Sequence, residues 1–227
     1  IVTDRAVFAY LADIFVLREL GQAYAALSQG QQPALAPVAL GYSDVAAWQR
    51  TSAVQAHEDH QLSYWQKQLA GVPRLLQLPT DRPRPAVLSD RGGATSRLRL
   101  PRELSGLLGV VCRQHHVTPF MALYTAYAAL LHRYAGQEEL CVGTPVSGRT
   151  HPATEDVVGL FVNTVVLRTR IERASFAALL AQVRTTALEA FAHQDVSFDR
   201  LVSHLGVERS SRHAPLFQVG FAWNTYP

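Results

Sequence analysis

The chain has little of what marks several common function classes. It holds two cysteines in 227 residues, Cys112 and Cys141, too few for a disulfide framework and without a second pair to build a zinc site. One falls in a predicted helix and the other in a predicted strand, so both are expected to be buried free thiols in a reducing compartment. Lys67 is the only lysine, and although the net charge is +3, the arginines are scattered rather than gathered into a stripe. No basic run interleaved with aromatics, no zinc-finger spacing and no RNP-like strand supports nucleic-acid binding. No stretch of 18 uncharged apolar residues exists, and Asp4, Arg5 and Asp13 interrupt the apolar start, which argues against a membrane span and a signal peptide. The expectation is a cytoplasmic, soluble chain with no membrane or nucleic-acid partner. The Gly-x-Ser-x-Gly elbow, the phosphate-loop Gly-Lys-Ser/Thr and His-Glu-x-x-His are all missing.

What is present is enough apolar matter, 48% of the residues, to bury one or two ordinary cores. From Leu11 to Leu27 the residues Leu11, Ile14, Phe15, Leu20, Tyr24 and Leu27 recur at helical spacing, and Gly30 marks the stop. After a connector over 33–41, Ser43 reads as the N-cap of a helix carrying Val45, Ala46 and Trp48, and another helix covers Glu58 to Leu69. Three prolines between Leu78 and Pro85 forbid a regular helix or central strand there. That stretch is taken as the boundary between residues 1–85 and residues 86–227, the latter opening with the alternating strand Ser96 to Leu100. Thr118 and Pro119 start a helix that Gly136 ends in a left-handed cap. Strands follow near Leu140 to Val142 and over Phe161 to Arg170. Ser175 caps a further helix, Ser197 caps a short one reaching Leu205 and Gly206, and Phe217 to Asn224 reads as a strand. Long helices between strands predict an α/β or α+β sandwich.

The titratable clusters are unconvincing as chemistry. His115 and His116 read as the exposed end of a helix, and His57-Glu58-Asp59-His60 as a solvated helix start, because its histidines are three apart rather than four. His193 and Asp195, two apart, cannot face each other on a helix, so a helix terminus feeding a turn is expected. Ser147, between Gly143 and Arg149, lies in a loop after a strand. No metal site is expected.

Four stretches carry a resemblance in order: Tyr42-Ser43-Asp44-Val45-Ala46-Ala47-Trp48-Gln49-Arg50, Val158-Gly159-Leu160-Phe161-Val162-Asn163-Thr164, His193-Gln194-Asp195-Val196-Ser197-Phe198-Asp199, and Pro215-Leu216-Phe217-Gln218-Val219. Together they resemble the condensation domains of nonribosomal peptide synthetases. The resemblance implies chloramphenicol acetyltransferase-like lobes, incomplete here at both ends, with the later part of the first lobe and a linker in 1–85 and most of the second in 86–227. It implies no bound cofactor, substrates carried on the phosphopantetheine arms of peptidyl or acyl carrier proteins, and neighbouring synthetase domains, or the missing parts of the same domain, as further partners. Gly143 to Arg149 resembles the family's crossover between lobes, and Arg149 with Asn163 are the candidate tunnel residues, a purely structural role being the competing expectation for both.

The family's His-His-x-x-x-Asp-Gly motif is where the likeness fails. Aligned without gaps on Arg18-Glu19-Leu20, Asp4 and Arg5 stand on the histidines, Ala9 on the aspartate and Tyr10 on the glycine. A rival register takes Asp4 as the motif aspartate, with the histidines before Ile1. It needs five additional residues ahead of Arg18, and if they fall within the helix they turn its apolar stripe by about 140°. The gapless register is preferred, and in it no catalytic residue remains, because an arginine stays protonated and cannot accept a proton. The chain is expected to be a noncatalytic scaffold or docking platform. The rival expectations are a fragment of an active amide-forming enzyme and a free-standing acyltransferase using coenzyme A thioesters.

Overall fold

The computed structural model describes residues 10–83, 93–172, 175–208 and 210–224. Helices α1 (Tyr10–Ser28), α2 (Tyr42–Gln49) and α3 (Ser52–Gln68) come first, then α4 (Arg102–Gln114) and α5 (Pro119–Ala135). Strands β1 (Glu139–Val146) and β2 (Asn163–Arg170) precede α6 (Phe176–Ala192) and α7 (Phe198–His204). This mixture is the expected α/β class. The described residues divide into two compact units, one formed by those up to Gln61 with Val146–Asn163, the other by those in Leu62–Pro145 and from Thr164 onward.

In the first unit, Val45, Val157 and Phe161 form a small core with Leu40 packed against it. The start of α2 differs from the sequence reading. Gly41, not Ser43, is the N-cap, and its N–H donates to Asp44 Oδ2 at 2.9 Å. A carboxylate three positions on reaches back to the free N–H more readily than the Ser43 hydroxyl, which already lies inside the first turn. α3 likewise begins ahead of Glu58, so His57 to His60 sit within a helix rather than at its start.

The second unit is built on β1 and β2, which form a two-stranded sheet. Val165, Val166 and Leu167 are all buried in succession, as in a strand covered on both faces. Glu139 at the start of β1 meets Arg168 at 2.6 Å and Arg170 at 3.3 Å near the end of β2. α5 packs against α4 and α6. Local signals explain its limits: Thr118 Oγ1 accepts from Met121 N at 3.2 Å, Pro119 takes the first helical position, and Gly136 closes the helix at φ +66°. Ser175 and Ser197 cap α6 and α7 in the same way, accepting from Ala178 N and Arg200 N.

Two expected strands are corrected. Residues 96–100 join no sheet among the described residues, and Leu98 is 89% exposed. Alternation marks a segment able to cover one face, but a ladder needs a neighbour offering free N–H and C=O groups. Residues 217–224 contribute a single parallel bridge, Gly143 to Gly220, rather than a strand. Gly143 N donates to Val219 O at 3.1 Å and Phe221 N to Gly143 O at 2.9 Å. The Phe221 ring then settles among Phe120, Tyr124 and Tyr127 of α5, with centroids 5.4, 5.7 and 5.4 Å away. Both cysteines are buried and free.

Candidate functional site

The first two signature stretches pack on each other within the first unit. Tyr42 opens α2, and its Oη donates to Leu160 O at 2.8 Å. Its ring meets Phe161 edge-on, with centroids 5.3 Å apart and planes at 86°. A Cβ on Gly159 would enter the Tyr42 ring, so glycine there lets the backbone approach the aromatic face.

Arg149 is held against the same Phe161 ring. Gly148, at φ +66°, turns the chain where a Cβ would collide with Phe161 O. The Arg149 guanidinium then lies 4.2 Å over the Phe161 centroid. Its Nη1 donates to the carbonyl oxygens of Thr154, Glu155 and Val157, so the side chain ties down residues 154–157. Nη2 is buried without a hydrogen-bond partner among the described residues. Burial lowers the Arg149 pKa while Asp156 opposes the shift, and the group stays charged. Asn163 is the half-buried first residue of β2, two positions past Phe161. Of the four motif positions, Asp4, Arg5 and Ala9 lie outside the described residues, and Tyr10 is the first residue of α1.

The third and fourth stretches are joined within the second unit. His193 ends α6, its Nδ1 lying 2.7 Å from Glu189 O. Its carbonyl accepts from Trp65 Nε1 at 2.8 Å, and its ring stacks on Tyr64 at 3.8 Å and 9°. Tyr64 Oη is buried with no hydrogen-bond partner among the described residues, and burial, with Glu189 adding to it, pushes its pKa up to about 12. Phe198 meets Phe217 at 5.3 Å, and a Cβ on Gly143 would strike the Phe217 ring. Gln218 Oε1 accepts from Leu76 N at 2.7 Å, while its Nε2 donates to Arg74 O at 3.4 Å and Ala214 O at 3.1 Å.

Four further histidines also make local contacts. His115 caps α4, and His116 follows at φ +52° with its carbonyl accepting from Arg184 Nε at 3.0 Å. His57 meets Gln61 at 2.8 Å, and His132 Nδ1 lies 2.8 Å from Gln137 O. Among the described residues no group of three His, Cys, Asp or Glu side chains could hold a metal ion, and no helix is long and apolar enough to cross a membrane. The sequence pattern singles out Arg149 but not the Phe161 ring beneath it, nor the contact of that ring with Tyr42. The quoted motif contains both, but nothing in their spacing shows that they touch.

The sequence profile described as "Condensation domain" matches residues 14–227. The chain belongs to the condensation-domain family of nonribosomal peptide synthetases. This condensation-family chain is 45% identical over 212 residues to one of the linear gramicidin synthase subunits of Brevibacillus parabrevis, covering 93% of itself and 3% of that protein. It is 44% identical over 228 residues to phosphinothricin tripeptide synthetase PhsB of Streptomyces viridochromogenes, covering 100% of itself and 19% of PhsB. It thus spans a small fraction of the relatives it matches. Among solved structures it resembles the X-domain from teicoplanin biosynthesis, with TM-score 0.84, 29% identity, and coverage of 94% of this chain and 48% of that one. A complex of the X-domain and OxyB from the same biosynthesis matches with TM-score 0.84 and 30% identity, over 96% of this chain and 49% of that one. The first condensation domain of the CDA synthetase, with TM-score 0.67 and 23% identity over 98% and 47%, shows the shared chloramphenicol acetyltransferase-like fold.

Proposed function

We propose that this condensation-type chain is noncatalytic as it stands and serves as a scaffold or docking platform for carrier proteins or partner enzymes of a peptide synthetase. One observation carries this reading. All nine histidines lie at position 57 or later, so the segment where the family keeps its catalytic pair supplies no imidazole. Without a neutral base near the incoming amine, general-base assistance worth about two to four orders of magnitude in rate is lost. Arg5 in that place stays cationic and cannot take the proton. The reading is supported by the likeness to an X-domain whose structure is known in complex with OxyB, a partner enzyme held on this fold. Carrier proteins would present their substrates on phosphopantetheine arms, in the cytoplasm. Asn163 is then the candidate contact for such an arm, with Arg149 positioning the backbone of 154–157.

The test is an intact-mass assay of donor and acceptor carrier proteins loaded with aminoacyl groups and incubated with this chain. The expected result is unchanged acceptor mass together with measurable carrier or partner-enzyme binding. A dipeptidyl mass on the acceptor overturns it.

A second reading is favoured by Ile1-Val2-Thr3-Asp4, which resembles the family text directly after His-His. In it the chain is part of an active, amide-forming domain whose catalytic histidines lie outside these residues. A His-His pair immediately ahead of Ile1 in the parent polypeptide, with dipeptide formation abolished by its removal, selects this reading.

A further inference from the structure

We draw no further inference here: the strongest candidate, the exposed apolar stripe that Leu17, Leu20, Tyr24 and Leu27 form along α1 in the first unit, carries none because nothing in the structure shows what covers it.

Discussion

The guanidinium of Arg149 lies 4.2 Å over the ring of Phe161, and the same ring packs edge-to-face with Tyr42, centroids 5.3 Å apart. The crossover arginine and two signature aromatics thus form one packed unit, with Nη1 of the arginine spent on the backbone of 154–157.

Replacing Arg149 therefore costs stability. Arg149→Ala removes three charge-assisted bonds to carbonyls and the stack on Phe161, and is expected to destabilise by about 3 kcal/mol. Arg149→Lys keeps the charge but not the planar fork, and should recover less than half of that loss. Urea unfolding of the three proteins checks both, and an Arg149→Ala midpoint equal to the parent's contradicts the arrangement.

Gly148 and Tyr42 separate backbone from side-chain contributions at the same place. Gly148→Ala forces a Cβ into a left-handed residue and against Phe161 O, for a cost of about 2 kcal/mol or more. Tyr42→Phe deletes one hydrogen bond to Leu160 O and keeps the ring packing, for about 1 kcal/mol. Thermal denaturation should rank Gly148→Ala below Tyr42→Phe, and the reverse order would show that the close approach is not as described.

Alkaline pH should unfold the second unit by way of its buried acids. Burial pushes the Cys141 thiol from 9.0 up to about 12, and the Tyr64 phenol from 10.0 up to about 12. Each folded-state value lies above the unfolded one, so the folded state retains protons that the unfolded state releases. Stability is then unchanged below pH 9 and falls as pH rises from 9 towards 12. Cys141→Ala removes the part of the decline that begins near pH 9, leaving an onset near pH 10. Melting temperature measured from pH 7 to 11 in both proteins reads this directly, and a parent melting temperature that rises above pH 9 refutes it.

Restoring two histidines should not restore chemistry. In the gapless register Asp4→His with Arg5→His leaves Ala9 and Tyr10 in place of the motif's aspartate and glycine, so the imidazoles would lack their structural support. No dipeptidyl product is expected above the parent's background in the intact-mass assay. Its appearance with this double change alone would sink the noncatalytic reading.

Much of the fold was legible because its signals are local. Thr118 with Pro119, Gly136, Ser175 and Ser197 mark helix ends through contacts spanning three or four residues, and the structure places caps at each of them. The glycine cap of α2 was missed because a glycine preceding Tyr42 has no side chain to announce it, and the decisive bond comes from Asp44.

The chain's order of residues by itself determined the capped ends of α5, α6 and α7, its family and the lack of any histidine before position 57. Tertiary structure alone decided which extended segments find partners: 217–221 reaches Gly143 and lodges Phe221 on α5, while 96–100, with the cleaner alternation, joins no sheet among the described residues. It alone decided that Arg149 serves carbonyls and that Gln218 ties Arg74 to Ala214. Caps and periodicity are settled within a turn or two of chain. Ladder partners and hydrogen-bond acceptors far apart in sequence depend on what folding brings alongside, and no local pattern encodes that.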